Sequence, residues 1–453
     1  MSSTAVILAA GQSKRMMSTK TKVLHDILGD PALLWVLRAV PSEIANTIIV
    51  INKNDGEIQP LVKQWKNTGL IKTNVHFVTQ QSPQGTAHAL MSAKALITKL
   101  RTTTLLIMNG DVPLISKSSL TKLLKNCPAM GVSESDVPKG YGRVFTQQFH
   151  LSHIVEDLDL KPPQKKHKFI NGGIYSLPWK PLLPILGIIK NKNKQNELYL
   201  TEAINTLAIK IDIKLVKFNI NEISGLNTRK DLSILHSNAK ESINTIWLDK
   251  GVSILDPSNT LIGPRVKIGT DVLIEPNVSL LGSVSIGIGS KIQTGSRIVD
   301  STLGNFTTIK PYTLIDRSII KNNVTVGPFS RLREGTELAD HVQIGNFVET
   351  KKAMISKGSK ANHLTYLGDV SIGKESNIGA GVITCNYDGV NKHKTTIGSN
   401  VFIGSDTQII APIKIEDHVL IAAGTTVTQD IPREHKAKSR VPQVNRPMNR
   451  TKK

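Results

Sequence analysis

The sequence has 453 residues, which is enough for two or three domains at roughly 150 residues each. Its 39% of hydrophobic and 20% of charged residues are typical of a water-soluble globular protein, and no apolar run approaches the ~18 residues of a membrane-spanning helix. The two cysteines, Cys127 and Cys385, exclude a disulfide scaffold and a cysteine-based zinc site. Since the N-terminus also lacks the basic region of a secretory signal, we expect a cytoplasmic protein without membrane insertion.

The net charge of +22 comes largely from two segments. Residues 161–194 contain eight lysines and no acid, and residues 433–453 contain eight basic residues against Glu434 alone. Such segments suit nucleic acid, an anionic surface or phosphorylated small molecules, but they are more often a solvated loop and a frayed tail. There is no zinc-finger spacing, and the aromatic content of 4% argues against a base-stacking surface. We therefore expect a solvated loop and tail, and no nucleic-acid partner.

The N-terminal half alternates between buried-strand patterns and helix-length segments. Apolar runs occur at 5–11, 47–52, 74–79 and 104–111, and segments such as 86–100 separate them. Strands that alternate with helices predict an α/β domain with a parallel sheet. Such domains bind ligands at the carboxyl ends of their strands, so we look for a site there.

The first candidate motif is LAAGQSKRM (8–16), directly after the first predicted strand. It is neither G-x-G-x-x-G nor a Walker A loop, so it does not indicate a dinucleotide-binding or P-loop protein. A glycine turn after a strand still exposes backbone N–H groups to phosphates, and Lys14, Arg15 and Lys22 offer cations for a triphosphate. An ordinary βα turn with surface lysines explains the motif equally well when it is taken alone.

The second candidate motif is NGDVPL (109–114), in which Asp111 follows the predicted strand 104–108. A carboxylate at the carboxyl end of a strand, near a phosphate-binding turn, is a natural Mg²⁺ ligand. Alone, such an aspartate is more often a turn or helix-capping residue. Its occurrence together with 8–16 and PQGTAHAL (83–90) favours a functional role.

A helix is predicted between the two halves of the chain. Apolar residues recur there at helical spacing, at Leu232, Leu235, Ala239, Ile243 and Ile246. We expect a connecting helix over 228–249, and hence a first domain of residues 1–227, a linker of residues 228–250, and a second domain of residues 251–453 that ends in a basic arm.

A six-residue period occupies the second half. It reads IGPRVK (262–267), IGTDVL (268–273) and IEPNVS (274–279), and it returns after phase slips, for example as IGSNVF (397–402). Six residues make one short strand plus a tight turn, so three hexapeptides close a triangular coil of about 18 residues with the aliphatic side chains inside. This period predicts a left-handed parallel β-helix.

The motifs of both halves resemble one enzyme family in matching order. In the first half, LAAGQSKRM, KVLH (22–25), QGTAHA, NGDVPL, GYGR (140–143), VED (155–157) and NGG (171–173) resemble the sugar-1-phosphate nucleotidyltransferases. In the second half the chain adds RLREG (331–335), GNFVETKKA (345–353), HLTYLGD (363–369), NIGAGVITCNYDG (377–389), GSDTQ (404–408) and SRVPQ (439–443). Nearly the whole chain thus resembles the bifunctional bacterial N-acetylglucosamine-1-phosphate uridyltransferase/glucosamine-1-phosphate acetyltransferase family.

This resemblance implies a Rossmann-like nucleotidyltransferase domain, followed by a β-helix acetyltransferase domain. The implied reactions are acetyl transfer from acetyl-CoA to glucosamine 1-phosphate, followed by uridylyl transfer from UTP with release of pyrophosphate. The product, UDP-N-acetylglucosamine, is a precursor of peptidoglycan, lipopolysaccharide and the cell wall that sets cell shape. Mg²⁺ is the implied cofactor.

For uridylyl transfer, the resemblance implies a phosphate-facing catalytic residue, Arg15, and a metal pair, Asp111 and Asn227. The implied nucleotide and sugar contacts are Leu8, Ala9, Ala10, Gly11, Lys22, Gln80, Gly85, Thr86, Asn109, Gly110, Asp111, Gly142, Glu156, Asn171 and Asn227. The chain departs from the family in three places: Ser13 replaces a glycine, Asn109 replaces an aromatic residue, and the sequence DLDLK (157–161) after Glu156 lacks the basic residue that the family commonly has there. These departures bear on sugar and base affinity and leave the metal and phosphate contacts in place.

For acetyl transfer, the resemblance implies that His363 is the catalytic base, because a neutral imidazole can take the proton of an attacking amine. The implied sugar-phosphate contacts are Arg333, Lys351, Tyr366 and Asn377. The implied acetyl-CoA contacts are Ala380, Asn386, Tyr387, Ser405, Ala423 and Arg440.

The family's β-helix enzymes are trimers with active sites between subunits, and the non-repeating insert 384–396 is long enough to reach a neighbour. We therefore expect a homotrimer. Two alternatives remain open from the sequence. One is a nucleotide-sugar pyrophosphorylase with a purely structural β-helix, and the other is a basic nucleic-acid-binding protein.

Overall fold

The computed structural model describes residues 2–11, 14–147, 150–439 and 442–447. The chain divides into two compact units, Met1–Ala239 and Lys240–Lys453. Among the described residues, no helix is both long and apolar enough to cross a membrane.

The first unit contains a mixed sheet, whose nine described strands run in the order β5-β4-β1-β6-β10-β7-β11-β9-β8, and a small hairpin of β2 and β3. The strands are β1 (Ser3–Leu8), β2 (Asp26–Ile27), β3 (Asp30–Pro31), β4 (Asn46–Asn52), β5 (Asn74–Gln80), β6 (Thr104–Asn109), β7 (Ala129–Glu134), β8 (Arg143–Gln147), β9 (His150–Val155), β10 (Phe169–Pro178) and β11 (Lys214–Lys217).

Helices cover both faces of this sheet. They are α1 (Ala32–Ala39), α2 (Ile58–Asn67), α3 (Thr86–Ser92), α4 (Lys94–Lys99), α5 (Lys117–Lys125), α6 (Trp179–Leu186) and α7 (Leu200–Ala208). Short 3-10 helices lie at Lys14–Met16, Lys22–Leu24, Asp157–Asp159, Pro162–Lys166 and Ile220–Ile223. Alternate residues of β1 enter different cores, since Ala5 and Ile7 pack in one cluster and Val6 in the other. A strand buried on both faces explains why the sequence shows an unbroken apolar run there.

The expected parallel sheet is present only in part. Strands β5, β4, β1 and β6 are parallel, but β10 lies between β6 and β7 and runs antiparallel to both. A strand buried on both sides has the same apolar pattern in either direction, so the sequence of β10 does not reveal its orientation. The reversal places the start of β10, with Asn171 and Gly173, beside the carboxyl end of β6, because Tyr175 pairs with Ile107.

The expectation of a solvated loop over 161–194 is wrong in part. This segment contains the buried strand β10 and the helix α6, and its lysines project from ordered structure. The sequence did not reveal these two buried elements because the lysines lie at their ends, where charged side chains reach water. In the basic tail, the described residues form only the short strand Lys436–Ala437.

The helix α8 (Arg229–Asp249) covers the region where the sequence predicted a connecting helix, and the division between the two compact units falls within it. In the second unit, Asn244 donates to the carbonyl oxygens of Pro257 and Thr260, at 2.8 and 3.1 Å. These bonds hold the last turns of α8 against the first coil of the repeats.

The second unit is a parallel β-helix with three faces, which we call faces A, B and C in the order in which each coil visits them. Face A contains Leu261–Ile262, Ser279–Leu281, Arg297–Val299, Leu314–Asp316, Arg331–Leu332, the first parts of Glu349–Ile355 and Tyr366–Ile372, Ile383–Cys385, Gln408–Ile410 and Thr426–Val427. Face B contains Lys267–Ile268, Ser285–Ile286, Thr302–Leu303, Ile319–Ile320, Glu337–Leu338, the last parts of Glu349–Ile355 and Tyr366–Ile372, Thr395–Ile397 and Ile413–Ile415.

Face C contains Ser253–Ile254, Leu273–Ile274, Lys291–Ile292, Thr308–Ile309, Thr325–Val326, Gln343–Asn346, Lys360–His363, Asn377–Ile378, Phe402–Ile403, Leu420–Ile421 and Lys436–Ala437. The 3-10 helix Pro257–Asn259 precedes the first coil on face A. The aliphatic residue of each hexapeptide points inward, and stacking of the coils buries these residues in one continuous cluster. The parallel β-helix predicted from the six-residue period is therefore confirmed.

The corners of the β-helix place residues in the left-handed backbone region. At the corner between faces A and B, Asp300, Arg317, Lys352 and Asp369 have φ angles of 44–48° on different coils. This conformation is uncommon outside glycine, asparagine and aspartate. Stacking of the coils therefore aligns corner side chains in columns along the axis.

Candidate active sites

The first candidate site is a cleft at the carboxyl edge of β1 and β6. It contains a cavity of about 750 Å³. The cavity is lined by Leu8, Ala9, Ala10, Gly11, Arg15, Lys22, Val23, Gln80, Pro83, Gly85, Thr86, Ala89, Asn109, Asp111, Gln195 and Glu197. Gly85, at the start of α3, has a φ angle of 108°, and a Cβ there would lie 2.6 Å from the carbonyl oxygen of Leu198. Only glycine permits this close approach, so the wall of the cavity depends on it.

A second cavity of about 560 Å³ continues the first. It shares Leu8, Arg15, Thr86, Asn109, Asp111, Gln195 and Glu197 with the first cavity, and it adds Val112, Lys139, Gly140, Tyr141, Gly142, Glu156, Asn171, Gly172, Gly173, Tyr175, Tyr199, Leu200, Thr201, Ile223, Gly225, Asn227, Thr228 and Asp231. Because seven lining residues are common to both, the two cavities form one elongated cleft within the first unit.

The structure brings the predicted nucleotide and sugar residues together in this cleft. The residues from 8 to 11, with Lys22, Gln80 and Gly85, line the first cavity, while Gly142, Glu156, Asn171 and Asn227 line the second. Gly110 differs because it is buried behind the wall: its N–H donates to the carbonyl oxygen of Leu8 at 2.9 Å. A Cβ on Gly110 would lie 3.1 Å from Cβ of Ala9, so this glycine allows β6 to approach the turn after β1.

Cations and oxygen ligands converge at the centre of the cleft. The ammonium group of Lys22 forms an ion pair with Asp111 and also donates to Oδ1 of Asn227 at 3.2 Å. Arg15 donates to the same Oδ1 at 3.0 Å. The backbone N–H of Asn227 is held by Oδ2 of Asp231 at 3.1 Å, which fixes the amide side chain at the start of α8.

The oxygen atoms of Asp111 and Asn227 are hard donors, which is the kind that Mg²⁺ prefers. Among the described residues, no group of three or more histidine, cysteine, aspartate or glutamate side chains is placed to hold a metal. One carboxylate and one amide nevertheless fit Mg²⁺, because this ion usually keeps water and substrate phosphates in its coordination shell. The donor set therefore suits a metal that arrives with a phosphate-bearing substrate.

Glu156 is the buried carboxyl group of the second cavity. Burial raises the pKa of Glu156 above its usual range, the hydrogen bond from Thr201 partly offsets this effect, and nearby Asp159 and Asp157 add to the rise. The hydroxyl of Thr201 donates to Oε1 at 2.8 Å. A carboxylate that is buried in a cavity, with an oxygen still able to accept, suits the hydroxyl groups of a sugar.

Sequence reasoning missed the loop that carries Gln195 and Glu197, which line both cavities. The backbone N–H of Glu197 is held by Oδ1 of Asn193 at 3.1 Å, and that of Leu198 by the carbonyl oxygen of Gln84 at 2.7 Å. The loop follows the lysine-rich segment and has no local motif. Only its contact with residues 83–86 places it in the site.

In the β-helix, the predicted catalytic histidine belongs to a column at the corner between faces C and A. His363 is exposed there, and Ala380, Ser405 and Ala423 occupy equivalent positions on the following coils. Backbone bonds join these coils, from Asp406 N to Ala380 O at 2.7 Å and from Gly424 N to Ser405 O at 2.8 Å. The period of the fold thus aligns His363 with three of the predicted acetyl-CoA contacts.

Arg333, Lys351 and Tyr366 lie on or beside face A, whereas Asn377 lies on face C. Glu349 accepts from Arg333 at 2.9 Å, and Glu334 pairs with Lys351 at 3.2 Å. These acids hold the two cations in fixed positions on the surface. The corner that contains His363 separates them from Asn377, so one chain does not bring all four predicted sugar-phosphate contacts to one face.

The insert after face A forms an ordered loop at the corner between faces A and B. Asn386 is buried and donates to Oδ2 of Asp369 at 2.5 Å, while Tyr387 is 60% exposed. Arg440 and Ser13 lie outside the described residues.

Comparison with known proteins places both units in known families. Residues 5–139 match the MobA-like NTP transferase domain, residues 254–363 match the GMPPB C-terminal domain, and residues 394–429 match the bacterial transferase hexapeptide with six repeats. The bifunctional protein GlmU of Pelobacter propionicus is 40% identical over 98% of this chain and 96% of its own length. The GlmU proteins of Thermosipho melanesiensis (41% identity, 97% and 96% coverage) and Prochlorococcus marinus (39%, 94% and 95%) are similar over comparable lengths.

The chain belongs to the bifunctional GlmU family. The resemblance inferred from the motifs is therefore confirmed, as is the order of a nucleotidyltransferase domain followed by a hexapeptide-repeat transferase domain. This GlmU architecture runs the length of the chain. It supports the prediction of a bifunctional transferase.

Proposed function

We propose that the chain acetylates glucosamine 1-phosphate with acetyl-CoA and then transfers uridylyl from UTP to the resulting N-acetylglucosamine 1-phosphate. The observation that carries this proposal is the presence of two residue sets, one in each compact unit. The cleft around Asp111 gathers cations and oxygen ligands, and the column at His363 aligns a histidine with three of the predicted acetyl-CoA contacts.

For uridylyl transfer, a phosphate oxygen of the sugar attacks the α-phosphorus of UTP, and the bond to the leaving pyrophosphate breaks. Lys22 and Arg15 supply positive charge to the triphosphate, since both point at the centre of the cleft. Asp111 and Asn227 would hold Mg²⁺, which when bound offsets the charge of the triphosphate and of pyrophosphate. Lys22 pairs with Asp111 in the structure, so it is placed to turn towards the phosphates as substrate binds.

The second cavity is the proposed site of the sugar. Glu156 and Asn171 accept and donate hydrogen bonds to sugar hydroxyls, and Gly142 leaves room for the ring: a Cβ there would lie 3.3 Å from Oε2 of Glu156. Positioning of the attacking phosphate beside the α-phosphorus supplies much of the rate, because the reaction then proceeds within one complex.

For acetyl transfer, the amine of glucosamine 1-phosphate attacks the thioester carbonyl, a C–N bond forms and the C–S bond breaks. His363 accepts the amine proton at its imidazole and returns it to the departing coenzyme A thiolate. Arg333 and Lys351 hold the sugar phosphate, with Tyr366 beside them on face A. Arg440, in the basic tail, is proposed as a further cation for coenzyme A.

We also infer a homotrimer with acetyl-transfer sites between subunits. Four residues occupy equivalent positions on consecutive coils at the corner that bears His363 and are 48–64% exposed: Tyr312, Phe329, Phe347 and Leu364. The ring centroids of Tyr312 and Phe329 lie 5.3 Å apart, and those of Phe329 and Phe347 lie 5.5 Å apart. An exposed apolar ladder of this kind is typical of a protein–protein contact. The distribution of Asn377 and Lys351 over faces C and A supports the same arrangement.

The proposed product is UDP-N-acetylglucosamine, which the enzyme makes in the cytoplasm as a precursor of envelope polysaccharides. The test is an assay of both half-reactions on one purified preparation with Mg²⁺. Formation of coenzyme A from acetyl-CoA and glucosamine 1-phosphate, and of pyrophosphate from UTP and N-acetylglucosamine 1-phosphate, would support both activities. Pyrophosphate formation without acetylation would leave a single-activity pyrophosphorylase, and contradict the proposal.

A further inference from the structure

Three strand ends meet at the second cavity, and each carries one predicted sugar contact. Gly142 directly precedes β8, Glu156 directly follows β9, and Asn171 lies near the start of β10. The backbone N–H of Asn171 donates to the carbonyl oxygen of Gly142 at 2.9 Å, and a Cβ on Gly142 would lie 3.3 Å from Oε2 of Glu156. A small shift of any one strand end would therefore change the spacing of these contacts.

Arg143 lies at the point where these strands meet. As the first residue of β8 it is paired with Val155 of β9, and it is also paired with Ile170 of β10. Its side chain is 2% exposed, and a charged side chain is almost never buried to this extent without a partner. The partners of this guanidinium group therefore indicate what the buried charge does.

The guanidinium group of Arg143 contacts the chain next to two of the sugar contacts. It donates to the carbonyl oxygen of Tyr141, which precedes Gly142. Its Nη2 also donates to Oδ1 of Asp157, which follows Glu156, at 3.1 Å. Nε is buried and has no hydrogen-bond partner in the described part of the chain, so these two contacts compensate the charge. The buried ion pair thus joins the end of β9 to the start of β8.

The turn Asp157–Asp159 is also held by the loop that contains Gln195. Oδ1 of Asp159 accepts the backbone N–H of Lys194 at 3.2 Å, and the ammonium group of Lys194 donates to the carbonyl oxygen of Leu158. Gln195 follows directly in the chain and lines both cavities. The position of this turn is therefore coupled to the sugar contacts through the ion pair, and to the wall of the cleft through Lys194.

We propose that Arg143 and Asp157 are positioning residues for uridylyl transfer, because their ion pair keeps the sugar contacts at the spacing that N-acetylglucosamine 1-phosphate requires. This inference rests on the proposed uridylyl transfer. Neither residue lines the cleft, so the pair acts through its neighbours and not on the substrate. Removal of one partner would leave a buried charge without compensation, and the strand ends would have to move to bring it to water.

The test is the steady-state kinetics of uridylyl transfer by the full-length variant Asp157→Asn. Asparagine keeps the size of the side chain and an acceptor oxygen, but a neutral acceptor binds a guanidinium group more weakly than a carboxylate does. We expect the KM for N-acetylglucosamine 1-phosphate to rise about fivefold or more, and the KM for UTP to change less than about twofold. Asp157→Glu, which keeps the carboxylate, should recover most of the wild-type KM.

A second variant makes the test independent of any one substitution and replaces Asp157→Asn if that variant does not fold. Arg143→Lys keeps the charge, but its single ammonium group lacks the planar fork and cannot reproduce both contacts. It should raise the KM for the sugar phosphate and leave the KM for UTP within about twofold of the wild-type value.

The matched control is Asp30→Asn, which alters an ion pair between a buried aspartate and Arg38 in the same unit; neither residue lines the cleft. Both KM values of this control should stay within about twofold of wild type. Equal rises in the two KM values of Asp157→Asn would overturn the inference, as would a rise of the same size in the control. A lower Tm with unchanged KM values would also overturn it, since the pair would then serve only the stability of the fold.

Calorimetric titration of UDP-N-acetylglucosamine tests the positioning role without turnover. Asp157→Asn should bind this ligand about fivefold more weakly than the wild type, and should bind UTP with unchanged affinity. A wild type that binds UDP-N-acetylglucosamine more tightly than the variant, but transfers no uridylyl group, would contradict the proposed function alone. Equal binding of UDP-N-acetylglucosamine by the two proteins would contradict the positioning role.

Discussion

The two units assemble their candidate sites in different ways. In the α/β unit, Arg15 and Lys22 meet Asn227, although 212 and 205 residues separate them. In the β-helix, Arg333 meets Glu349 across 16 residues, and each predicted contact lies about one coil from the next. The first unit brings residues of distant loops together at one edge of a sheet, whereas the second places its residues at equivalent positions on successive coils along its axis.

This difference has a consequence for how each site is completed. A sheet edge is concave once loops surround it, so one chain can enclose a substrate in the first unit. The corner of the β-helix that bears His363 lies between faces C and A, so the residues on these two faces point in different directions. In the proposed homotrimer, a second copy of the chain supplies the other surface of the second site.

The largest expected effect concerns the histidine in the corner column. His363→Ala should lower kcat for acetyl transfer by about 10²–10⁴-fold, the usual contribution of a general base. Uridylyl transfer should be unchanged, because its residues lie in the other unit. His435→Ala is the control, since the imidazole of His435 is also exposed and bonds the carbonyl oxygen of Arg433 at 2.8 Å. Steady-state kinetics that show an unaltered kcat in His363→Ala would remove this residue as the base.

The second effect concerns the centre of the α/β cleft. Asp111→Ala should lower uridylyl transfer by about 10²–10³-fold, as for the loss of one electrostatic stabiliser, and chelation of Mg²⁺ should abolish it. Acetyl transfer should survive both treatments. The control is Asp136→Ala, which removes an exposed carboxylate that pairs with Lys168 at 2.6 Å. Pyrophosphate release that persists in Asp111→Ala would contradict the metal assignment.

The third prediction concerns whether the acetyl-transfer site needs residues from two chains. Lys351→Ala and Asn377→Ala should each lose acetyl transfer, but co-expression and random mixing of the two should restore about a quarter of the wild-type rate. The reason is that one interface in about four would combine an intact face A with an intact face C. The rate of the mixture is compared with that of each variant alone. A mixture no more active than its components would show that a single chain supplies both residues.

The sequence predicted the α/β cleft because its residues follow strands whose carboxyl ends share one edge. It located Asp111 and the turn after β1 in this way. It could not locate Gln195 and Glu197, since their position depends on packing between two distant loops. Nor could the sequence predict the direction of β10 in the sheet, because a buried strand has the same apolar pattern in either direction. The antiparallel direction of β10 is what brings Asn171 to the cleft.

For the β-helix, the sequence predicted more of the fold and less of the site. A six-residue period sets the coils, so the inward aliphatic residues could be identified one by one. The outward residues recur with the same period, and stacking of the coils therefore aligns them in columns along the axis. The shape of the insert was not predictable, because the insert departs from the repeat and its shape depends on the bonds to Asp388 and Asp369.

The smallest expected effect concerns stability in the α/β unit. Burial raises the pKa of Glu156, so the folded protein loses stability as pH rises through that pKa, and the loss is absent below the unfolded value of about 4.3. Glu156→Gln removes the charge and keeps an acceptor for Thr201. Its Tm at pH 7–8 should therefore rise, on the order of the 2–4 °C that about 1 kcal/mol produces in a domain of this size.

The control for this prediction is the same comparison near pH 4, where the difference in Tm between Glu156→Gln and the wild type should shrink. Thermal unfolding of both proteins from pH 4 to pH 8 provides the measurement. An equal Tm difference at every pH would show that the charge of Glu156 is not the cause.

In the proposed function each unit carries its own reaction, and separate expression of the two units tests this division. The first fragment should end at residue 239 and not at 227, because Asp231 holds the N–H of Asn227 at 3.1 Å. We expect residues 1–239 to catalyse only uridylyl transfer. Residues 240–453 should catalyse only acetyl transfer and sediment as a trimer. Loss of uridylyl transfer in a folded 1–239 fragment would contradict this division, and acetyl transfer by a monomeric 240–453 fragment would contradict the intersubunit site.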